Sequence, residues 1–173
     1  MPDFEKLNHF QKFSLKPDFE IDVDDLENRY LLLQKKFHPD ARISQDLDHE
    51  EISDLNSIAA NEAYQILKNP VKRAVYLLKL HGINIDDDNC SVKPEQETLL
   101  LILDLKEKLF ASDDQNEANK IKDFANSEIK KIIKKAAEDF KNQDYKSAAQ
   151  KLIKVKYLDK ILLDLKLKNH NSL

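Results

Sequence analysis

The stretch Leu26-Glu27-Asn28-Arg29-Tyr30-Leu31-Leu32-Leu33-Gln34-Lys35-Lys36-Phe37-His38-Pro39-Asp40 decides the fold of this chain. Leu26, Tyr30, Leu33 and Phe37 recur at i, i+4, i+7 and i+11, the spacing of a buried helical stripe. Asp22 is the expected N-cap, with Asp25 three positions on as an approximate capping box. Pro39 disfavours helical dihedrals at His38 and removes a backbone donor, so the helix is expected to stop near Phe37. An imidazole and a carboxylate then sit on a stiff loop beside Lys35 and Lys36. Taken alone, His38-Pro39-Asp40 also reads as a turn in which Asp40 bonds its own backbone.

Outward from this stretch the pattern stays helical. Residues around Asn8 to Leu15 form a short helix with Phe10 and Phe13 on one side, followed by a loop carrying Pro17, Phe19 and Ile21. A longer helix is expected from about Asp48 to Lys68, with Ile52, Leu55, Ala59, Ala63 and Ile66 facing inward. Asn69-Pro70 ends it, and Pro70 suits the first turn of a further helix that runs through Leu80. Gly82, the single glycine of the chain, is the expected left-handed terminator. The two helices that flank the tripeptide loop should form an antiparallel hairpin.

Residues 83–93 read as a linker, since they hold three consecutive aspartates and no apolar periodicity. Pro94 opens a helix to about Phe110. Ser112-Asp113-Asp114-Gln115 reads as a capping box for a long helix to about Asn142, and Asp144 starts a last helix to about Lys168. Short turns between three helices imply an antiparallel bundle, with Ile121, Phe124, Ile132, Phe140, Leu152 and Leu158 in its core. The expected architecture is all-α in two domains: residues 1–82, the linker 83–93 and the bundle 94–173.

Composition excludes several function classes. The 173 residues are 41% hydrophobic and 35% charged, in the range of folded soluble chains. One glycine rules out a glycine-rich phosphate loop. A net charge of −4 opposes general nucleic-acid binding. No apolar run reaches membrane-spanning length, so no membrane role is expected. The N-terminal residues, with Asp3 and Glu5, match neither a secretory signal nor a basic transit peptide. Cys90 stands alone, and His9, His38, His49, His81 and His170 never pair at helical metal-ligand spacing. No cofactor, metal or catalytic residue is expected. A reducing cytosol fits, bacterial first, with a processed mitochondrial-matrix protein as the other reading.

Tyr30 to Phe37, the following His38-Pro39-Asp40, and Asn61-Glu62-Ala63-Tyr64-Gln65-Ile66-Leu67 one helix later together resemble the J-domain, the module that activates DnaK-type chaperone ATPases. By that resemblance His38, Pro39 and Asp40, with the cationic face of Arg29, Lys35 and Lys36, engage the ATPase. Without it, those cations read as a solvated helix face. The pattern departs after the tripeptide, where Ala41 replaces a common lysine. Leu31 and Leu32 both point away from the buried stripe; they either pack under a neighbouring helix or extend the partner-binding surface.

A glycine- and phenylalanine-rich continuation is absent. Instead Pro70-Val71-Lys72-Arg73-Ala74-Val75-Tyr76-Leu77-Leu78 leads to His81-Gly82 and the bundle. That stretch, with Tyr157-Leu158-Asp159-Lys160, resembles the HscB family, J-type co-chaperones of iron–sulfur cluster assembly, over nearly the full chain. The cysteine-paired N-terminal knuckle of some members has no counterpart in this sequence.

The helix after Pro94 has content of its own. Leu99 to Leu103 are five consecutive apolar residues. At about 100° per residue, Leu101, Ile102, Leu105 and Leu109 cluster on one side. Leu99, Leu100, Leu103, Asp104 and Glu107 fall on the other, as either a second buried side or an exposed docking face. In the HscB family the matching positions, with an aromatic matching Tyr157, bind the IscU-type cluster scaffold. The resemblance thus implies a co-chaperone that brings an IscU-type scaffold to an HscA/DnaK-type ATPase. A general co-chaperone with another client and a non-chaperone helical adaptor are the alternatives.

Overall fold

The computed structural model describes residues 4–37, 47–86, 90, 92–111 and 114–170. Among them the regular structure is helical: a 3-10 turn (Phe4–Lys6), then α1 (His9–Lys12), α2 (Val23–Phe37), α3 (Leu47–Lys68), α4 (Pro70–Leu80), α5 (Gln96–Ala111), α6 (Gln115–Lys141) and α7 (Tyr145–His170). They form two compact units, Met1–Leu77 and Leu78–Leu173, and the division falls inside α4.

Caps set the boundaries in the first unit. Asn8 and Gln11 cap α1 reciprocally, each side chain accepting from the other's backbone N–H. Asp22 accepts from the amides of Asp24 and Asp25 at 3.0 Å, as its N-cap reading requires. Asn69 does the same for α4, accepting from Val71 at 2.9 Å, with Pro70 as the first helical residue.

The α2–α3 hairpin is antiparallel. Its cross-links run Glu27 to Lys68, Tyr30 to Asn61 and the Phe37 carbonyl to Ser53. The Tyr30 hydroxyl donates to Asn61 Oδ1 at 2.9 Å, and the Tyr30 and Tyr64 rings stack at 4.0 Å. Leu26 and Phe37 are buried, with Tyr30 and Leu33 half-buried. On α3 the buried face is Ala60, Ala63, Tyr64 and Leu67; of the expected row only Ala63 is buried, Leu55 is exposed, Ala59 and Ile66 are half-buried, and the Ile52 side chain lies outside the described set. The reason is that α3 packs against both α1 and α2, which turns its inward face by about one residue.

Two buried cations hold this small core. Arg73 Nε donates to the Phe19 carbonyl at 2.8 Å and Nη1 to the Leu67 carbonyl at 2.5 Å, with the guanidinium over the Phe19 ring. Lys12 Nζ donates to the carbonyls of Glu5 and Leu7, and burial lowers its pKa. Tyr76 accepts from the His9 amide at 3.1 Å and lies against the Phe10 ring.

In the second unit, α4 ends in a Schellman turn. Ile83 N–H bonds to the Leu78 carbonyl, Gly82 N–H bonds to that of Lys79, and Gly82 has φ +78°. A Cβ at Gly82 would meet nothing within 4 Å, so substitution costs backbone strain alone. Gly82→Ala is expected to lower stability by about 1 kcal/mol, read from the denaturant midpoint.

The described part of the 83–93 segment lies against α7. Ile85 and Val92 are buried, Lys156 Nζ reaches the Ile85 carbonyl and Asp86, and Gln150 donates to the Lys93 carbonyl. Asp114 caps α6 through the Asn116 amide, and Asp144 accepts from the Ser147 amide at the start of α7. The expected cap residues Ser112 and Asp113 lie outside the described residues. Lys106–Asp164 and Lys168 to the Leu109 carbonyl pair rising positions on both helices, so α5 and α7 run parallel. The α6–α7 turn is braced by Lys151 against Asp139 at 2.5 Å. Together these give an up-down-up three-helix bundle. Its core takes Ile102, Leu105, Leu109, Ile121, Ala125, Ile132, Phe140, Leu152, Leu158 and Ile161. Phe124, expected in that core, is exposed, because Ile121 and Ala125 occupy the inward positions beside it.

Candidate functional site

Helix α5 buries one side and leaves an apolar one in water. Thr98, Ile102, Leu105 and Leu109 are buried, at i, i+4, i+7 and i+11. Leu99, Leu100 and Leu103 are 46%, 59% and 55% exposed, and Asp104 and Glu107 are exposed with them. The second-buried-side reading of these leucines is thereby excluded. Three neighbouring leucines held half out of water are a cost to the isolated chain, and such patches mark interaction surfaces.

The leucines do not act as one flat set. Leu99 and Leu103 border a depression of about 240 Å³ between α5 and α7, floored by Ile102 and lined by Tyr157, Lys106 and Lys160. Tyr157, 58 positions after Leu99 in the chain, is thus brought to the same site by the parallel packing of α5 and α7. Leu100 and Glu107 lie further round the helix, on the outermost face. Glu107 has no ion-pair partner among the described residues. Asp104 turns toward α6: it accepts from Lys108 Nζ at 2.7 Å, which raises the lysine's pKa, and borders a second depression with Leu101, Lys108 and Phe124. Leu101, expected in the core, is half-buried at that seam.

One residue of this surface was missed. Phe110 is 71% exposed and stands seven positions after Leu103 on the same side of α5. The i+7 spacing from Leu103 is the signal that marks it, beside a helix end at Ala111.

In the first unit, Lys35 and Lys36 are exposed on α2. Arg29, on their flank, is engaged within the unit: Nε donates to Asp25 at 2.8 Å, and Nη1 to the carbonyls of Phe13 at 2.9 Å and Ser14 at 3.2 Å. His38, Pro39, Asp40 and Ala41 lie outside the described residues. Among the described residues no group of three or more His, Cys, Asp or Glu side chains is placed to hold a metal ion, and no helix is long and apolar enough to cross a membrane.

The two helical units present an exposed leucine face on α5 and an exposed lysine pair on α2. Comparison with known proteins makes this specific. Residues 94–166 match the family model described as the HSCB C-terminal oligomerisation domain. The chain is 33% identical over 157 residues to a co-chaperone protein HscB homolog of Neisseria meningitidis, covering 88% of this chain and 93% of that one. It is 28% identical over 161 residues to the human iron-sulfur cluster co-chaperone protein HscB, covering 93% of this chain and 68% of the human protein. The crystal structure of human HscB superposes with a TM-score of 0.85 at 27% identity, over 95% of this chain and 83% of that one. The chain belongs to the HscB family of iron–sulfur cluster co-chaperones.

Proposed function

We propose that this chain delivers an IscU-type iron–sulfur scaffold to an HscA/DnaK-type chaperone and stimulates that chaperone's ATPase. The scaffold binds the bundle, assigned to residues 94–173, through Leu99, Leu100, Leu103, Asp104, Glu107 and Tyr157. The ATPase engages the J-type part, assigned to residues 1–82, through His38, Pro39 and Asp40, with Lys35, Lys36 and Arg29 beside them. Residues 83–93 join the two. The observation that carries this reading is the exposed Leu99–Leu103 face with Tyr157 in its depression. The similarity to the human iron-sulfur cluster co-chaperone protein HscB supports it. Holding scaffold and ATPase on one chain raises the local concentration of each for the other. The chain acts in the cytosol and leaves catalysis to the ATPase.

Single-turnover ATP hydrolysis by the cognate DnaK-type chaperone tests this reading. The wild type is expected to accelerate turnover, and His38→Gln to abolish the acceleration while binding the scaffold as the wild type does. Acceleration by His38→Gln at the wild-type level would remove the loop from the mechanism. An inert wild type would overturn the J-type reading.

A further inference from the structure

Helix α5 has a second flank, toward α6, and that flank carries the larger of its two apolar depressions, about 340 Å³. Leu105 and Ile121, both buried, form its floor, and Leu101 and Phe124 stand on opposite walls, one on each helix. Phe124 is 41% exposed, because Ile121 and Ala125 hold the inward positions of α6. A ring set at a seam and left partly in water has apolar area still to bury against a partner. The rim is charged but satisfied within itself: Lys108 pairs with Asp104 at 2.7 Å, and Lys120 with Glu117 at 3.3 Å. Two such pairs leave no net charge at the mouth, so the depression suits an uncharged, apolar side chain. At about 100° per residue, Leu100 and Glu107 form a ridge midway between the two flanks of α5. Leu99, Leu103 and Tyr157 lie on one side of that ridge, and Leu101, Asp104 and Lys108 on the other. A partner that touches both Tyr157 and Asp104 has to cross it.

We propose that the scaffold straddles α5 and seats a second apolar side chain between Leu101 and Phe124. The inference rests on the scaffold reading above and adds a contact, on the other helix flank and on α6, that the reading does not contain. Two points commit the depression to that partner. Asp104 belongs both to the face assigned to the scaffold and to this rim, so the two surfaces are continuous. The neutral rim fits an apolar insertion, and contact of that kind is not screened by salt as exposed charge pairs are.

The test is calorimetric titration of the full chain with an IscU-type scaffold, paired with fluorine NMR of the chain carrying para-fluorophenylalanine at its eight phenylalanines. Phe124→Ser is expected to weaken scaffold binding about tenfold, equally at about 50 mM and about 300 mM KCl. Phe124→Leu keeps most of the apolar area and is expected to bind within about threefold of the wild type. The fluorine line assigned by its absence from Phe124→Leu is expected to shift when scaffold is added, and to hold still when the chain alone is concentrated. Wild-type affinity from Phe124→Ser, or a Phe124 line that ignores the scaffold, would overturn the proposal. A line that moves with the chain's own concentration gives the depression to a second copy and overturns it too. If Phe124→Ser melts early, the fluorine line of the otherwise unaltered chain carries the test. A wild type that leaves the scaffold unbound sinks the scaffold reading and this inference together. Binding that Leu99→Ala/Leu103→Ala loses and Phe124→Ser keeps sinks the inference alone.

Discussion

Leu99→Ala/Leu103→Ala/Tyr157→Ala is expected to weaken binding of an IscU-type scaffold by at least about a hundredfold in calorimetric titration. Each leucine starts about half exposed, so docking buries the remaining half. At about 25 cal/mol per Å² that contributes roughly 1 kcal/mol for each, with a comparable share from the ring. The sum, about 3 kcal/mol, sets the hundredfold figure. Stability should respond far less to the leucine changes, because these side chains are already half in water. Tyr157 is half-buried and needs its own control, Tyr157→Phe, which keeps the ring in the depression and should bind. Undiminished binding by the triple variant would move the scaffold off this face. Leu100 and Glu107, which lie outside the depression, should matter less than Leu99 and Leu103. Phe110→Ser extends the same titration to the far end of the helix.

Arg73→Met is expected to destabilise the first unit by about 3 kcal/mol, read as a loss in the denaturant midpoint and a fall in melting temperature of about 10–20 °C. Methionine can fill much of the volume, so the cost is chiefly polar. The carbonyls of Phe19 and Leu67 each accept from the buried guanidinium, and each would lose that bond. An orphaned buried acceptor costs about 1–3 kcal/mol. Arg73→Lys should recover part of the loss, since an ammonium can reach one carbonyl but lacks the fork that spans two. A change below about 1 kcal/mol would mean that water replaces the guanidinium, and the ascribed role would fail.

This role for Arg73 changes the meaning of the Arg73-Ala74-Val75-Tyr76-Leu77-Leu78 element. It is a packing device: Arg73 ties the end of α3 and the loop before α2 to α4, Tyr76 meets α1, and Ala74, Leu77 and Leu78 are fully or nearly fully buried. The same holds for Asn61-Glu62-Ala63-Tyr64, where Asn61 and Tyr64 clasp Tyr30 and Ala63 lets the helices approach. The residues that make the chain resemble its family are largely those that build the scaffold of the first unit. The residues assigned to partners are mostly exposed, with Arg29 and Tyr157 half-buried, and the tripeptide falls between α2 and α3 in the chain.

Helix existence and most helix ends were readable along the chain, because periodicity and caps are local. Asp22, Asn69, Gly82 and Asp144 act on backbone groups within four residues of themselves, and each does what its type and position suggest. The two-sided pattern of Leu99 to Glu107 was equally visible, since a helix converts spacing into faces by a fixed rotation. Which of two apolar sides meets water was not visible, because that depends on what lies opposite. Leu99 and Leu103 are exposed since α6 and α7 close over Ile102, Leu105 and Leu109 instead. For the same reason α3 buries Ala60 and Leu67 rather than Leu55, and Phe124 is displaced from the core. Nor could spacing show that Arg29, one of three similar cations on α2, is spent on Asp25 and two carbonyls while Lys35 and Lys36 stay exposed. Local chemistry sets where a helix begins, ends and turns apolar; whether an apolar or charged side chain serves the core or a partner is settled by the neighbours that folding brings to it.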